Sequence, residues 1–131
     1  MGSFANGGFE TGDFTSWTSS TTGSGFVIVA SGYLHDGAYG AGAMVVGSGG
    51  GSATIEQTIG SLSIGDRVDL WYQVPNLDSG SSILVEAYQI GQPYDDDHRI
   101  VLAEPYSTTA WIHVQMVCPN GKDYAHDWTV R

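Results

Sequence analysis

The sequence is poor in cysteine, in positive charge and in long apolar runs. Cys118 is the single cysteine among 131 residues, so an intramolecular disulfide framework is excluded, and we expect this side chain to be buried as a small apolar group. Four Lys and Arg stand against 14 Asp and Glu, and the formal net charge of −10 argues against nucleic acid or an anionic membrane as a partner. No apolar stretch approaches the roughly 20 residues of a membrane-spanning helix. Neutral ligands and cations remain as candidate partners.

Helical periodicity is missing as well, and this absence sets the fold class. Short alternating runs bounded by Gly, Pro, Asn and Asp dominate the chain, which is typical of β-strands. The strands follow one another at short spacing without parallel crossovers, so the sequence predicts an all-β fold, a two-sheet antiparallel jelly-roll sandwich. The runs predicted as strands are residues 26–30, 43–46, 53–59, 67–74, 83–88, 99–103, 112–118 and 127–130.

The chain shows no internal repeat and no linker, and its length suits one domain. We expect residues 4–131 to form a single β-sandwich module. Residues 1–3 (Met-Gly-Ser) are expected to be an added remnant, with any export signal outside this chain. The glycine-rich stretch at 47–51 is expected to be a flexible loop.

The segment from Asn6 to Trp17 reads N-G-G-F-E-T-G-D-F-T-S-W, a glycine-punctuated turn followed by Phe14 and Trp17, which can close one end of a β core. It resembles the opening of the galactose-binding-like β-sandwich modules, in particular carbohydrate-binding modules of the family 4/9 type. Further stretches resemble family segments in the family's order: 35–41, 55–59, 64–72, 108–111 and 126–130. The resemblance implies a β-sandwich that binds carbohydrate.

Glu10 lies between two turn glycines, where backbone carbonyls can converge, and it is therefore a candidate ligand for a hard cation such as calcium. The resemblance implies that a structural calcium ion ties the first and last strands together. Carried over by position, Glu10 and Asp127 would supply side chains, Gly8 a carbonyl, and Asp36 further oxygens. The alternative is that Glu10 and Asp127 only make turn or cap hydrogen bonds.

Aromatic and polar side chains share the strand faces that lie opposite the apolar ones. A flat ring can support the C–H face of a sugar while amide and carboxylate groups bind its hydroxyls. If the strands concerned are neighbours in one sheet, these side chains would floor a groove for an oligosaccharide. The alternative is an ordinary polar exterior. The candidate ligand-binding residues are Trp71, Gln73, Glu86, Tyr88, His113 and Gln115.

Catalytic patterns are weak. The run Tyr94–His98 holds three adjacent carboxylates, but adjacent side chains point in different directions and the EF-hand spacing is missing, so we expect a solvated loop. No G-x-S-x-G elbow is present. Glu56, Glu86 and Glu104 could in principle pair as a glycosidase acid and nucleophile, but spacing in the sequence gives no separation in space. The sequence therefore predicts that the protein is not an enzyme.

Together these patterns predict non-catalytic binding of a neutral oligosaccharide or polysaccharide by a calcium-stabilised module. We expect no nucleic-acid or membrane partner, and we expect the module to belong to a larger secreted enzyme or adhesin at an extracellular or cell-surface location. The competing interpretation is a structural or adhesive spacer module of the same fold without a sugar site, because fold does not decide function.

Overall fold

A computed structural model describes residues 4–46 and 49–131 of the chain. In these ranges the secondary structure consists of nine strands and one three-residue 3-10 turn, and every strand pair whose register is defined is antiparallel. The prediction of an all-β, antiparallel fold of the jelly-roll sandwich class is confirmed, with sheets that stay open. The expected remnant at 1–3 and part of the expected loop at 47–51 lie outside the described residues.

The strands are β1 Thr18–Gly23, β2 Gly25–Ala30, β3 Gly40–Val45, β4 Gly51–Ser61, β5 Arg67–Val74, β6 Val85–Gln89, β7 Arg99–Ala103, β8 Thr108–Val117 and β9 Asp127–Val130. Three of these, β5, β7 and β9, have the predicted bounds. The described residues contain no helix long and apolar enough to cross a membrane.

The chain divides into two compact units, residues 4–57 and 58–131. The prediction of a single module over 4–131 stays a prediction. In the amino-terminal unit, β2 pairs with β3, and β1 pairs with residues 51–56 of β4. The sequence missed β1, because Thr18–Gly23 carries no apolar side chain and all six residues are exposed. Without an apolar face there is no alternation to detect.

In the carboxy-terminal unit, the end of β4 is followed across the sheet by β9, β6 and β7, while β5 and β8 pair with each other in a separate two-stranded sheet. Thr58 of β4 and Thr129 of β9 share a hydroxyl hydrogen bond of 3.1 Å. Cys118 is buried as expected, and burial raises the pKa of its thiol. The buried apolar residues are Ile59, Leu62, Val68, Val74, Ala87, Ile100, Cys118, Trp128 and Val130.

The strand pair β5–β8 follows the predicted alternation. Val68 and Val74 are buried while Asp69 and Trp71 on the opposite face are exposed. Strand β6 does not follow it, since a register shift against β7 separates Val85 from the next residue and breaks the alternation.

Candidate functional site

An exposed aromatic pair stands on the polar face of the β5–β8 sheet. Trp71 and His113 are directly opposite each other in the antiparallel register, so their side chains rise from the same face. Their ring centroids are 4.3 Å apart and their planes differ by 4°. The two rings are therefore stacked, and Trp71 keeps 46% of its surface exposed.

Polar groups flank this pair on the same two strands. Asp69 is opposite Gln115, two positions along the register from the two rings, and therefore on the same face. The Asp69 carboxylate accepts a hydrogen bond from Arg67 Nε at 2.8 Å and lies 3.6 Å from His113 Nε2. We call Asp69, Trp71, Gln73, His113 and Gln115 together the β5–β8 face.

Gln73 extends the β5–β8 face toward the end of the strand pair. Its side-chain nitrogen donates a hydrogen bond to the carbonyl of Thr109 across the pair. This contact fixes the orientation of the amide on β5. Four of the six predicted ligand-binding residues, Trp71, Gln73, His113 and Gln115, thus lie on one strand pair.

The prediction that Glu86 lies on an outward face is wrong. Its side chain is 0% exposed, and each carboxylate oxygen forms an ion pair with an arginine. Arg131 Nε donates to Oε1 at 2.9 Å, Arg99 contacts Oε2 at 3.2 Å, and the Tyr94 hydroxyl also donates to Oε2. A buried carboxylate has to be paired in this way, because leaving it unpaired in the interior would cost several kcal/mol. Glu86 is a structural ion-pair centre.

Tyr88 contacts an arginine that is paired with Glu86, and it lies outside the β5–β8 face. The guanidinium carbon of Arg131 lies 4.4 Å from the centre of the Tyr88 ring, a cation–π geometry. Strand β6 is also in a different sheet from β5 and β8. The sequence did carry a signal, since Glu86 is the one charged residue in the otherwise apolar run from Ile83 to Tyr88.

Glu10 holds a turn of the amino-terminal unit through its carboxylate. Ala38 N donates to Oε2 at 2.9 Å, and Tyr39 N donates to Oε1 at 3.4 Å. Gly37 leaves room for this carboxylate: a Cβ at that position would lie 2.3 Å from Glu10 Oε1, and the Gly37 φ of +76° also favours glycine. These contacts agree with the alternative in which Glu10 makes turn hydrogen bonds, and its role as a calcium ligand stays a prediction.

The remaining predicted calcium ligands are divided between the two units, with Gly8 and Asp36 in the amino-terminal unit that holds Glu10. Asp36 Oδ1 accepts a hydrogen bond from Gly37 N at 2.8 Å, and Gly8 lies beside the Glu10 side chain. Asp127 begins β9 in the carboxy-terminal unit. Across residues 4–46 and 49–131, no group of three His, Cys, Asp or Glu side chains could hold a metal ion. The described carboxylates do not by themselves fit the oxygen-rich set that calcium requires, and calcium stays a prediction.

The acidic run Tyr94–His98 forms a hydrogen-bonded loop. His98 Nδ1 lies 2.6 Å from Asp95 Oδ1, and His98 Nε2 lies 3.4 Å from Asp123 Oδ2. The hydrogen bond between the two side chains raises the pKa of His98 and lowers the pKa of Asp95. The three Asp residues of the loop are exposed, in agreement with the expected solvated loop. The sequence missed the role of His98 as a bridge, because Asp123 is distant in the chain.

Comparison with known proteins shows the fold. No protein-family model and no curated protein matches the chain. The chain is similar to the solved structure of the enzymatically active domain of bacteriophage CBA120 tailspike protein 4, with a TM-score of 0.66 and 16% sequence identity. The match covers 98% of this chain and 18% of the tailspike chain, so the chain spans less than a fifth of that structure.

This comparison corrects one prediction and supports another in part. The prediction that the protein is not an enzyme is contradicted, because the similar structure is described as an enzymatically active domain. The resemblance to galactose-binding-like modules is supported as far as a β-rich fold. The chain is therefore an antiparallel all-β protein whose fold also occurs in an enzymatically active tailspike domain.

Proposed function

We propose that this chain binds an oligosaccharide or polysaccharide through the β5–β8 face, as one part of a larger secreted or surface-exposed protein. The stacked pair of Trp71 and His113 is the observation that carries the proposal. An exposed indole offers an apolar surface to the C–H face of a sugar ring, and the neighbouring carboxylate and amides can bind hydroxyl groups.

Charge favours a neutral glycan over an acidic one. Of the four Lys and Arg residues in the chain, Arg99 and Arg131 are committed to Glu86, and Arg67 is paired with Asp69 on the β5–β8 face. The net charge of −10 would repel a polyanion. Hydrogen bonding and stacking without charge neutralisation suit a neutral polymer.

The comparisons support the wider setting of the proposal. The similar tailspike chain is several times longer than this one, which agrees with a module inside a larger protein. The resemblance to carbohydrate-binding modules of the family 4/9 type agrees with glycan binding at a sandwich of this kind. Tethering to a larger protein would offset the modest affinity that sugar hydroxyls allow at one site.

The test compares Trp71→Ala with wild type on a glycan array and on insoluble polysaccharides. Ile64→Ala is the matched control, because Ile64 is an exposed apolar residue (60%) outside the β5–β8 face. We expect Trp71→Ala to weaken binding at least about tenfold, equivalent to about 1.4 kcal/mol, while unchanged circular dichroism shows that the fold is kept. Absence of wild-type binding across a broad panel would favour the structural or adhesive spacer module instead.

Cleavage of the bound glycan is the second candidate function, and the tailspike comparison favours it. Asp69 is the carboxylate on the β5–β8 face and lies beside His113. Incubation of the protein with each bound polysaccharide, followed by measurement of new reducing ends, tests the candidate. Product formation that Asp69→Asn abolishes would assign catalysis to this face, and product formation that Asp69→Asn leaves intact would place catalysis elsewhere.

A further inference from the structure

Asparagine is followed by glycine at two places in the chain, Asn6-Gly7 and Asn120-Gly121. This dipeptide is chemically reactive, because the backbone nitrogen of the second residue can attack the carbon of the asparagine side-chain amide. Glycine has no Cβ, so its nitrogen approaches that carbon with little obstruction. The two pairs have the same sequence, and a difference in their reactivity therefore comes from the structure around each of them.

The side chain of Asn6 is held at both ends of its amide group. Its Nδ2 donates hydrogen bonds to Thr11 Oγ1 at 2.8 Å and to the carbonyl of Thr15 at 2.9 Å, while Oδ1 accepts one from Thr11 N at 3.3 Å. The backbone carbonyl of Asn6 accepts a hydrogen bond from Phe9 N at 3.0 Å, which closes a turn around Gly7. Attack by the Gly7 nitrogen requires the side-chain contacts to break first, so the fold protects this pair.

Asn120-Gly121 lies in a turn between β8 and β9, and both residues are exposed. Within the described part of the chain, the Asn120 side chain makes no hydrogen bond. A Cβ added at Gly121 would meet no atom within 4 Å apart from its chain neighbours, so nothing packs against the backbone at this point. Exposed turns of this kind open more easily than packed segments, and the amide of Asn120 is therefore available for attack.

We propose that Asn120 is a site of spontaneous deamidation and that the fold protects Asn6 from the same reaction. The Gly121 nitrogen gives its proton to the solvent and forms a bond to Asn120 Cγ. The bond from Cγ to the side-chain nitrogen breaks, and this nitrogen takes up a proton and leaves as ammonia. Water then opens the cyclic imide at either of its carbonyl groups, which leaves aspartate or isoaspartate at this position.

The turn is attached to the acidic loop at residues 94–98. Lys122 Nζ donates a hydrogen bond to the carbonyl of Asp96, and Asp123 N donates one to the carbonyl of Asp97 at 2.9 Å. Deamidation adds a carboxylate directly before these contacts, in a chain whose formal net charge is already −10. The modified protein is therefore more acidic than the parent protein, and the two forms can be separated by charge.

The three asparagines of the chain serve as matched probes in one sample. Asn120 is exposed and precedes Gly, Asn76 is exposed and precedes Leu, and Asn6 precedes Gly but is held by hydrogen bonds. The folded protein is incubated at mildly alkaline pH, and peptide mapping by mass spectrometry follows aspartate and isoaspartate at each position. We expect conversion at Asn120 to be at least about tenfold faster than at Asn6 and at Asn76. Equal rates at Asn120 and Asn6, or a faster rate at Asn6, would overturn the proposal.

Incubation in urea separates the effect of the fold from that of the dipeptide. Asn6 loses its hydrogen bonds in the unfolded chain, so we expect its rate of conversion to rise at least about tenfold, toward that of Asn120. Asn76 should stay slow, because leucine follows it in either state. An unchanged rate at Asn6 would contradict its protection by the fold.

Asn120→Gln assigns the change in charge to this position, since the longer side chain of glutamine forms the cyclic imide far more slowly. Asn76→Gln is the matched control at an exposed position. On anion-exchange chromatography after incubation, we expect a more acidic species in wild type and in Asn76→Gln but not in Asn120→Gln, with circular dichroism showing that each variant is folded. The same acidic species in Asn120→Gln would overturn the assignment.

Discussion

At the scale of single residues, burial separates side chains that look alike in the sequence. Glu86 and Asp69 both lie in strands beside aromatic residues, yet Glu86 is the centre of an ion-pair network and Asp69 is on the exposed β5–β8 face. The difference follows from the arginines nearby. Arg99 lies in β7, and Arg131 directly follows β9. Strands β7 and β9 are the two neighbours of β6 in the sheet.

Replacing Glu86 tests the network. Glu86→Ala leaves Arg99 and Arg131 without their shared counter-charge, and we expect a loss of about 2–4 kcal/mol in the free energy of unfolding, reduced from the fully buried case by the partial exposure of both arginines. Urea denaturation measures this loss in the free energy of unfolding. Asp69→Ala, at an exposed pair, should cost less than about 1 kcal/mol. Equal losses in the two variants would contradict the buried network.

The raised pKa of His98 makes its contribution to stability depend on pH. Because Asp95 favours the protonated ring in the folded state, the stabilisation is fully present below the unfolded pKa of His98 and is lost as the pH rises through the higher folded value. The melting temperature of wild type minus that of His98→Gln should therefore be larger at about pH 5.5 than at about pH 8.5, on either side of the ordinary histidine pKa. A difference that stays constant over this range would rule out the bridge.

At the scale of elements, the sequence predicts strands well where one face is apolar. Strands β5 and β8 alternate over residues 67–72 and 112–117, before the register shift between Tyr72 and Val74, so the polar face with Trp71 and His113 could be identified before their pairing was known. The stacking of these two rings could not, since it depends on the register between the strands. The polar strand β1 and the bulged strand β6 lack a clean alternation, and the interpretation of Glu86 and Tyr88 as groove residues failed for that reason.

The turn held by Glu10 provides a prediction at the same scale. Gly37→Ala places a Cβ against the Glu10 carboxylate at a positive φ, and we expect it to lower the free energy of unfolding by about 1–3 kcal/mol. Gly32→Ala is the control in the same unit, because a Cβ at Gly32 would meet no atom within 4 Å. Urea denaturation measures the free energy of unfolding of both variants. Equal values would show that the turn does not depend on Gly37.

At the scale of the whole molecule, the strong acidity makes cation binding a testable property. If calcium is bound through Glu10 and Asp127 as predicted, calcium chloride should raise the melting temperature relative to chelator, in proportion to the logarithm of its concentration above the dissociation constant. Magnesium chloride at equal ionic strength is the control for screening of the net charge. Equal shifts of the melting temperature with the two salts would show that the rise comes from screening of the net charge and not from calcium binding.

Glu10→Gln distinguishes the two roles of this carboxylate. As a calcium ligand, Glu10 is needed for the calcium-specific part of the shift, and Glu10→Gln should abolish that part. As a partner of the amides of Ala38 and Tyr39, it stabilises the turn with or without calcium, and Glu10→Gln should lower the melting temperature equally in chelator and in calcium. Differential scanning calorimetry of the variant in both conditions separates the outcomes.

The position of β9 has a consequence for how the protein is made. This strand is the last in the sequence, yet it lies between β4 and β6, and its contact with β4 joins residues 71 positions apart. A nascent chain that has not yet released β9 from the ribosome exposes one edge of β4 and one edge of β6, both open to pairing with other chains. Completion of this sheet therefore waits until β9 has left the ribosome, and slow folding with a need for protection from aggregation follows from the topology.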